Sequence, residues 1–134
     1  MDELTVTLEQ SGRTATVAGI RAHTIVMDRP EAQGGTDAGP MGGETLLAAV
    51  GGCFMSTLYA AAGARSIDVK DATCTVVGTF AASPRRFGAL RIEVACSSVP
   101  ASELAHLVEV ASRGCLVVAT LRQGMDVTVG TSEA

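Results

Sequence analysis

Aromatic residues are scarce in this chain of 134 residues, which has one tyrosine, three phenylalanines and no tryptophan. Proteins that bind single-stranded nucleic acid stack the bases on aromatic side chains, so this composition argues against such a function. Basic residues are also few, and the net charge of -4 provides no positive surface for a phosphate backbone. We therefore predict that the protein binds no nucleic acid.

The N-terminus lacks the features of a secretory signal. Its sequence, MDELTVTLEQ, is acidic and alternating rather than basic and then apolar. We expect a cytoplasmic protein, in which the four cysteines are thiols rather than a disulfide framework. A chain of this length is expected to form a single domain over residues 1–134, with one hydrophobic core.

Charged side chains are absent from residues 45–64, and Glu44 and Arg65 bracket this run with the charges that a helix dipole favours at its two ends. The run predicts a helix that is buried on most sides. Small residues recur along it at every fourth position: Gly52, Ser56, Ala60 and Ala64. Such a stripe lets another backbone approach closely, so we predict a tight helix contact there.

An apolar run of about 20 residues is also long enough to cross a bilayer. This run contains several small polar residues and glycines, no basic cluster flanks it, and strand-like segments lie on both sides. We therefore expect the core helix of a soluble fold and no membrane partner.

Alternating apolar and polar residues, typical of half-buried strands, flank this helix on both sides. Three such segments precede it, around residues 4–9, 13–18 and 23–28, and a glycine-rich loop over residues 29–43 follows them. After the helix come two strands around residues 73–80 and 90–97, two helical segments over 100–114 and 115–122, and a last strand at Met125, Val127 and Val129. The order β-β-β-α-β-β-α-α-β predicts an α+β fold with antiparallel sheets.

The four cysteines fall into two groups. Cys74 and Cys96 lie on apolar strand faces, which predicts small buried hydrophobic side chains. Cys53 and Cys115 lie beside glycines in predicted helices, where a thiol is easier to reach. The absence of any CxxC pair, with the two histidines in a strand and a helix, argues against a metal site.

Cys115 follows Gly114 at a predicted helix start, where unpaired N–H groups and the positive end of the dipole favour a thiolate or a good leaving group. Cys53 lies in the middle of its helix and gains no such help, so it needs a cation or a hydrogen-bond donor from elsewhere. Spacing alone leaves open whether the two are reactive thiols or two more core cysteines.

Four segments resemble the osmotically inducible protein C and organic hydroperoxide resistance (OsmC/Ohr) family. They are HTIVMDRP at 23–30, GGTDAGP at 34–40, ETLLAAVGGCF at 44–54 and ASRGCLVVATL at 111–121, in the order that the family has. The resemblance implies the OsmC-like fold, in which two chains intertwine as a homodimer around their central helices. It also implies a peroxidase that reduces organic hydroperoxides, with no bound cofactor and no metal.

In that family one cysteine attacks the peroxide and a second resolves the product. The resemblance therefore implies that Cys53 becomes a sulfenic acid and condenses with Cys115 to a disulfide, which a dithiol reductant of the lipoyl type, carried on a lipoylated protein, resets. The family also has an arginine near the first hairpin that stabilises the thiolate. Arg13 is the candidate for that role, with Arg21 and Arg29 as rivals, and a plain surface charge is the alternative for each.

A glutamate near the helix start normally bonds that arginine, and Glu44 is the candidate. It lies one residue closer to the cysteine than in the hydroperoxide branch, which rotates its side chain by about 100° around the helix. Its alternative role is a charge at the helix N-terminus. The family also usually has proline where this chain has Leu116, and again at the helix entry where this chain has Gly42 or Gly43. These departures indicate a general OsmC-like branch, so a redox-inert binding or interaction protein is the alternative function.

Overall fold

The computed structural model describes residues 2–133 of the chain. Its backbone contacts divide it into two compact units, one ending at Ala48 and the other beginning at Ala49. The central helix α1, Gly42–Ala64, starts in the first unit and continues into the second. Each unit is described by itself.

The first unit contains a three-stranded antiparallel sheet in the order β1-β2-β3. Its strands are β1 (Thr7–Ser11), β2 (Ala15–Ile20) and β3 (His23–Met27), which confirms the three predicted strands before the helix. The first strand begins later than expected, because Leu4 and Val6 precede the paired residues and are exposed. Gly12, with φ of 65°, takes the left-handed conformation in the turn between β1 and β2.

The loop after β3 is organised by the carboxylate of Asp28, which is 5% exposed. Its Oδ1 accepts hydrogen bonds from the Thr14 hydroxyl at 2.9 Å and the Arg29 N–H at 2.7 Å. Its Oδ2 accepts from the hydroxyl of Thr36 at 2.6 Å and from the N–H groups of Thr36 and Ala38, both at 3.1 Å. Five donors therefore fold the loop around one side chain. The loop also contains a short 3-10 turn, Glu31–Gln33.

At each end of α1 a charged side chain hydrogen-bonds the backbone, and its charge is the one that the helix dipole favours at that end. Glu44 lies in the first turn, and its Oε1 accepts the backbone N–H of Met41 at 2.9 Å, which is one half of a capping box. Arg65 donates to the carbonyl of Ala61 at 3.0 Å just beyond the last turn. By length and composition α1 could cross a membrane, and the same holds for two later helices only if they are taken together as one span bent by 61°.

One face of α1, rather than most of its surface, is buried in the single chain. The buried residues of the helix are Val50, Gly51, Phe54, Met55, Leu58, Ala61 and Ala62. The predicted stripe of small residues lies elsewhere: Gly52, Ser56, Ala60 and Ala64 are exposed, and a Cβ added at Gly52 would meet no atom within 4 Å. Within residues 2–133 no other segment packs on this stripe, so a tight helix contact there stays a prediction for a second chain.

The close approach to α1 occurs one residue earlier and involves a strand. Strand β4 (Thr73–Ala81) pairs with β5 (Arg86–Ala95) as a two-stranded antiparallel sheet. A Cβ added at Gly51 would lie 3.1 Å from Cγ2 of Val76 and 3.6 Å from the sulfur of Cys74. Gly51 thus allows β4 to pack directly on the helix backbone, which offsets the helix propensity that glycine gives up.

The register of β4 and β5 changes near the hairpin, where Thr79 is opposite Ala89 but Phe80 is opposite Phe87. Phe80 lies at this irregularity and is 58% exposed, although its alternation with Cys74 and Val76 predicts that the three share an apolar face. Alternation along one strand gives no sign of the extra residue that its partner strand carries between Phe87 and Ala89. The Phe80 and Phe87 rings instead stack on each other with centroids 5.0 Å apart.

Helices α2 (Ala101–Gly114) and α3 (Leu116–Gln123) complete the second unit and confirm the two predicted helical segments. They contribute Leu107, Ala111 and Val118 to the core around Leu58 and Phe54. The predicted last strand is wrong for the single chain, because residues 124–133 form no regular secondary structure. Met125, Val127 and Val129 are at least 66% exposed, and no strand within residues 2–133 pairs with them.

Candidate active site

The two cysteines singled out by sequence lie in contact. The Sγ atoms of Cys53, in the middle of α1, and Cys115, between α2 and α3, are 3.4 Å apart, and the thiol of Cys115 donates to the sulfur of Cys53. Both are free thiols. The two sulfurs lie within reach of a disulfide after a small movement, since a bonded pair is about 2.05 Å apart.

A glycine and a threonine methyl group set this proximity. A Cβ added at Gly114 would lie 3.4 Å from Cγ2 of Thr57, which is one helical turn beyond Cys53. The hydroxyl of Thr57 donates to the carbonyl of Cys53 at 2.9 Å, so its methyl group is held in place. The end of α2 therefore packs closely on α1, and Cys115 follows at the cysteine-bearing turn.

The two thiols differ in accessibility. Cys115 is 1% exposed and belongs to the hydrophobic core, whereas Cys53 is partly buried and lies at the edge of that core. A small molecule that enters from solvent meets the sulfur of Cys53 first. This asymmetry suits Cys53 as the attacking thiol and Cys115 as the thiol that follows.

Cys115 occupies the junction of two helices. Its N–H donates to the carbonyl of Ala111 at 3.0 Å, which closes α2, and its carbonyl accepts the N–H of Ala119 at 3.0 Å, which opens α3. No side chain within residues 2–133 caps the N-terminus of α3. The positive end of the α3 dipole therefore lies beside the sulfur pair. The sequence predicted an effect of the helix dipole on Cys115 alone, because the position of Cys53 in the middle of its own helix does not show that its sulfur contacts Cys115.

Cys74 and Cys96 lie in different surroundings. Cys74 packs against Gly51, and burial raises the pKa of its thiol. Cys96 lies one residue beyond β5 and is buried, but its sulfur contacts the Ser98 hydroxyl at 3.1 Å and the Lys70 carbonyl at 3.3 Å. The hydrogen bond with Ser98 lowers the pKa of Cys96. Burial opposes that shift. The predicted burial of Cys96 in the hydrophobic core is confirmed, and the polar partners of its sulfur are the part that the apolar strand face did not predict.

The three candidate arginines all lie in the first unit, with exposed side chains. Arg13 is in the turn between β1 and β2, where its carbonyl accepts a hydrogen bond from the Gln10 side chain at 3.3 Å. Arg21 has φ of 54° in the turn between β2 and β3. The backbone of Arg29 makes two hydrogen bonds: its N–H donates to Asp28, and its carbonyl accepts from the N–H of Asp37 at 3.0 Å.

Glu44 serves as a helix-capping side chain through its bond to Met41. Within residues 2–48 it forms no ion pair with an arginine. The structural role that the sequence offered as its alternative is therefore observed, while its catalytic role stays a prediction. Within residues 2–133, no three His, Cys, Asp or Glu side chains group as a metal site would require.

The sequence reasoning passed over Asp28, although it lies in one of the segments that carry the family resemblance. Hydrogen bonds, first that of the Thr36 hydroxyl and then those of Ala38, Thr14 and Arg29, hold the pKa of the Asp28 carboxyl well below its ordinary value, against the opposing effect of burial. An aspartate at a strand end, followed by a glycine-rich loop that contains a threonine, is the pattern that could have indicated this anchor.

Comparison with known proteins places this site in a family. The sequence profile described as OsmC, OsmC-like protein, matches residues 34–130. The chain belongs to the OsmC-like protein family, and the α+β fold with antiparallel sheets is the one that its structural neighbours share. No curated protein matches the chain.

Three solved structures illustrate the likeness. An OsmC-like protein from Mycoplasma pneumoniae is 22% identical, with a TM-score of 0.73 over 91% of this chain and 89% of that one. A hypothetical protein from Aquifex aeolicus is 19% identical, with a TM-score of 0.78 over 94% and 92%. An organic hydroperoxide resistance protein from Elizabethkingia anophelis is 22% identical, with a TM-score of 0.65 over 90% and 91%. At these identities the likeness establishes the fold.

Proposed function

We propose that the protein is a two-cysteine peroxidase that reduces organic hydroperoxides and so defends the cell against oxidative stress. The observation that carries the proposal is the 3.4 Å contact between the sulfurs of a partly buried Cys53 and a buried Cys115. The family assignment supports it, as does the fold shared with the Elizabethkingia protein, whose own description is organic hydroperoxide resistance.

The proposed cycle begins with the thiolate of Cys53. It attacks one oxygen of ROOH, the O–O bond breaks, and the products are the sulfenic acid of Cys53 and an alkoxide that takes a proton to leave as ROH. The thiol of Cys115 then condenses with the sulfenic acid, which forms the disulfide and releases water. A dithiol reduces the disulfide by two exchange steps and becomes a cyclic disulfide itself.

The environment of the pair favours an apolar substrate. No charged side chain occurs on α1 between residues 45 and 64, and the helix supplies Phe54, Met55 and Leu58 to the adjoining core. An alkyl or aryl hydroperoxide loses less hydration than hydrogen peroxide when it approaches such a surface. We therefore propose organic hydroperoxides as the substrate class.

We also propose that Arg13 stabilises the attacking thiolate and that Glu44 orients that arginine. A guanidinium stays charged where a lysine would lose its proton, which suits an apolar setting. The Arg13→Ala variant should raise the pH midpoint of Cys53 alkylation by about one unit and slow peroxide reduction about tenfold, since one unit corresponds to 1.36 kcal/mol. Folding should change little, because Arg13 is exposed.

Arg21→Ala is the matched control for Arg13→Ala, since Arg21 is also an exposed arginine in a hairpin turn of the same sheet. If the alkylation profiles of wild type and Arg13→Ala coincide, Arg13 has no such role. A shift in Arg21→Ala or in Arg29→Ala would then reassign it.

A homodimer is the proposed state of the protein in solution. The support is the unpaired face of α1, where Gly52, Ser56 and Ala60 are exposed beside Leu46 at 41% and Tyr59 at 51% exposure. An apolar face with a flat, small-residue stripe is suited to pack against the same helix of a second chain.

We propose a cytoplasmic location for the protein. We also propose a lipoylated protein as the source of the dithiol.

The decisive experiment measures consumption of cumene hydroperoxide with dihydrolipoamide as the reductant. Wild type should turn over repeatedly, Cys53→Ser should have no activity above background, and Cys115→Ser, assayed without the dithiol, should consume about one equivalent and stop. Cys74→Ser is the matched control, because it removes another thiol that adjoins α1. No turnover in wild type at any dithiol concentration would favour the redox-inert binding protein. Turnover that survives in Cys53→Ser would instead exclude Cys53 as the attacking thiol.

A further inference from the structure

The hydrogen bond between the two thiols has a direction. The S–H of Cys115 points to the sulfur of Cys53, and the backbone of Cys115 is fixed by bonds to Ala111 on one side and Ala119 on the other. A thiol is a weak donor to a neutral acceptor and a stronger one to an anion, because hydrogen bonds to ionised groups are about twice as strong. The contact therefore gains strength when Cys53 loses its proton.

Few other groups in the second unit can supply this stabilisation. On α1 no charged side chain occurs between residues 45 and 64. Arg113, just before Gly114, forms an exposed ion pair with Glu109, and Arg122 of α3 donates to the hydroxyl of Ser112 at 3.2 Å. On β4, the thiol of Cys74 packs beside Gly51 instead. Of the groups in this unit, Cys115 is the donor in contact with the sulfur of Cys53.

We propose that Cys115 acts before it resolves: in the reduced protein its thiol proton stabilises the thiolate of Cys53 across the 3.4 Å contact. The inference rests on the proposed function for its choice of Cys53 as the attacking thiol. It adds a second catalytic role to a residue otherwise assigned only to disulfide formation. In the reactive form of the pair the remaining proton is held by the buried sulfur of Cys115, and the charge lies on the sulfur of Cys53.

The arrangement orders the two chemical steps. While Cys53 is a thiolate, Cys115 keeps its proton and cannot compete as a nucleophile. Once the sulfur of Cys53 is bonded to oxygen it carries no charge, so it no longer binds that proton. The thiol of Cys115 can then lose it as its sulfur attacks, with the proton leaving in the water that the sulfenic hydroxyl becomes. The N-terminus of α3 stabilises the developing charge on Cys115.

Two substitutions separate donation from resolution. Cys115→Ser and Cys115→Ala both remove the resolving thiol, but a serine hydroxyl can still donate to Cys53 and alanine cannot. Each variant and wild type are pulsed with iodoacetamide from pH 5 to 9.5 without peroxide, and peptide mass spectrometry measures labelling of Cys53. Cys115→Ala should raise the midpoint by about one pH unit, a tenfold loss of thiolate at neutral pH, while Cys115→Ser should stay within about 0.3 unit of wild type.

Equal midpoints in the two variants would overturn the proposal, whether both shift or neither does. Because no peroxide is present, the result does not depend on the peroxidase assay, and the two hypotheses can fail separately. If Cys115→Ala does not fold, thiolate absorbance of wild type at 240 nm gives a second test against a Cys53→Ser reference. A shared proton requires one thiolate of the pair to form well before the other, and simultaneous loss of both protons would refute it.

Discussion

Gly51 offers a sharp test of how α1 is packed. In an open helix interior, Gly→Ala stabilises by about 1 kcal/mol through helix propensity. At Gly51 the added methyl group would lie 3.1 Å from Cγ2 of Val76, closer than ordinary van der Waals contact. Val76 is β-branched and lies within strand β4, so its side chain has little freedom to rotate away. Overpacking of this kind costs about 1–3 kcal/mol.

The two effects oppose each other at this residue. Gly51→Ala should therefore leave the free energy of unfolding unchanged or lower it by up to about 2 kcal/mol. In a Val76→Ala background the clashing methyl is absent, and the same substitution should stabilise by about 1 kcal/mol. The double-mutant cycle should thus give a coupling energy of about 1–3 kcal/mol.

The free energies of unfolding of wild type, the two single variants and the double variant are measured by urea unfolding, monitored by circular dichroism at one protein concentration. The cycle cancels any effect that Gly51→Ala has on association, because that effect is present in both backgrounds. A coupling energy below about 0.5 kcal/mol would refute the reasoning. The reasoning would also be refuted if Gly51→Ala stabilised the wild-type background by the whole of about 1 kcal/mol that helix propensity supplies. Either result would mean that β4 does not rest on the helix at Gly51.

Three further predictions follow from the site and its supports. One equivalent of peroxide should link Cys53 to Cys115, as read by mass spectrometry of digested protein; Cys74 or Cys96 in the dominant disulfide would contradict the assignment. Asp28 has a depressed pKa in the folded state, so its stabilisation is complete above its unfolded pKa of about 3.9 and is lost progressively below it. Acid titration of the unfolding free energy should show this loss, and Asp28→Asn should reduce proton uptake on unfolding below pH 4 by up to about one proton. If the pH dependence of the free energy of unfolding is unchanged in Asp28→Asn, the carboxylate of Asp28 does not stabilise the loop. Sedimentation at micromolar concentration should give a dimer, and a folded monomer would exclude the proposed assembly.

Much of the fold could be predicted because its signals are local. Period-two alternation marked the strands, an uncharged run marked α1, and Pro100 and Gly114 marked the ends of α2. The errors have one physical cause, since each concerns what lies opposite a segment. Alternation at 125–129 cannot reveal whether a partner strand exists, and the uncharged run of α1 cannot reveal how much of the helix surface meets the core.

The candidate site could be predicted in part for the same reason. Cys53 and Cys115 were identified by residue type, their glycine neighbours and the family resemblance, but their contact depends on Gly114 packing against Thr57. No periodicity encodes that packing. Asp28 was missed because its function in the fold is to gather donors from the loop that follows it and from Thr14 in an earlier turn, and that convergence exists only in three dimensions.

The unequal exposure of the two sulfurs also determines how the oxidised protein would be reduced. Closing the pair from 3.4 Å to a bonded distance moves the sulfurs by only about 1.4 Å, so Cys115 would stay inside the core at 1% exposure. An incoming dithiol would therefore attack the sulfur of Cys53 and form its mixed disulfide there. Cys115 would depart as the leaving thiolate, at the end of α3 where a negative charge is most stable. Burial, rather than any recognition of one cysteine over the other, would determine which sulfur the dithiol attacks.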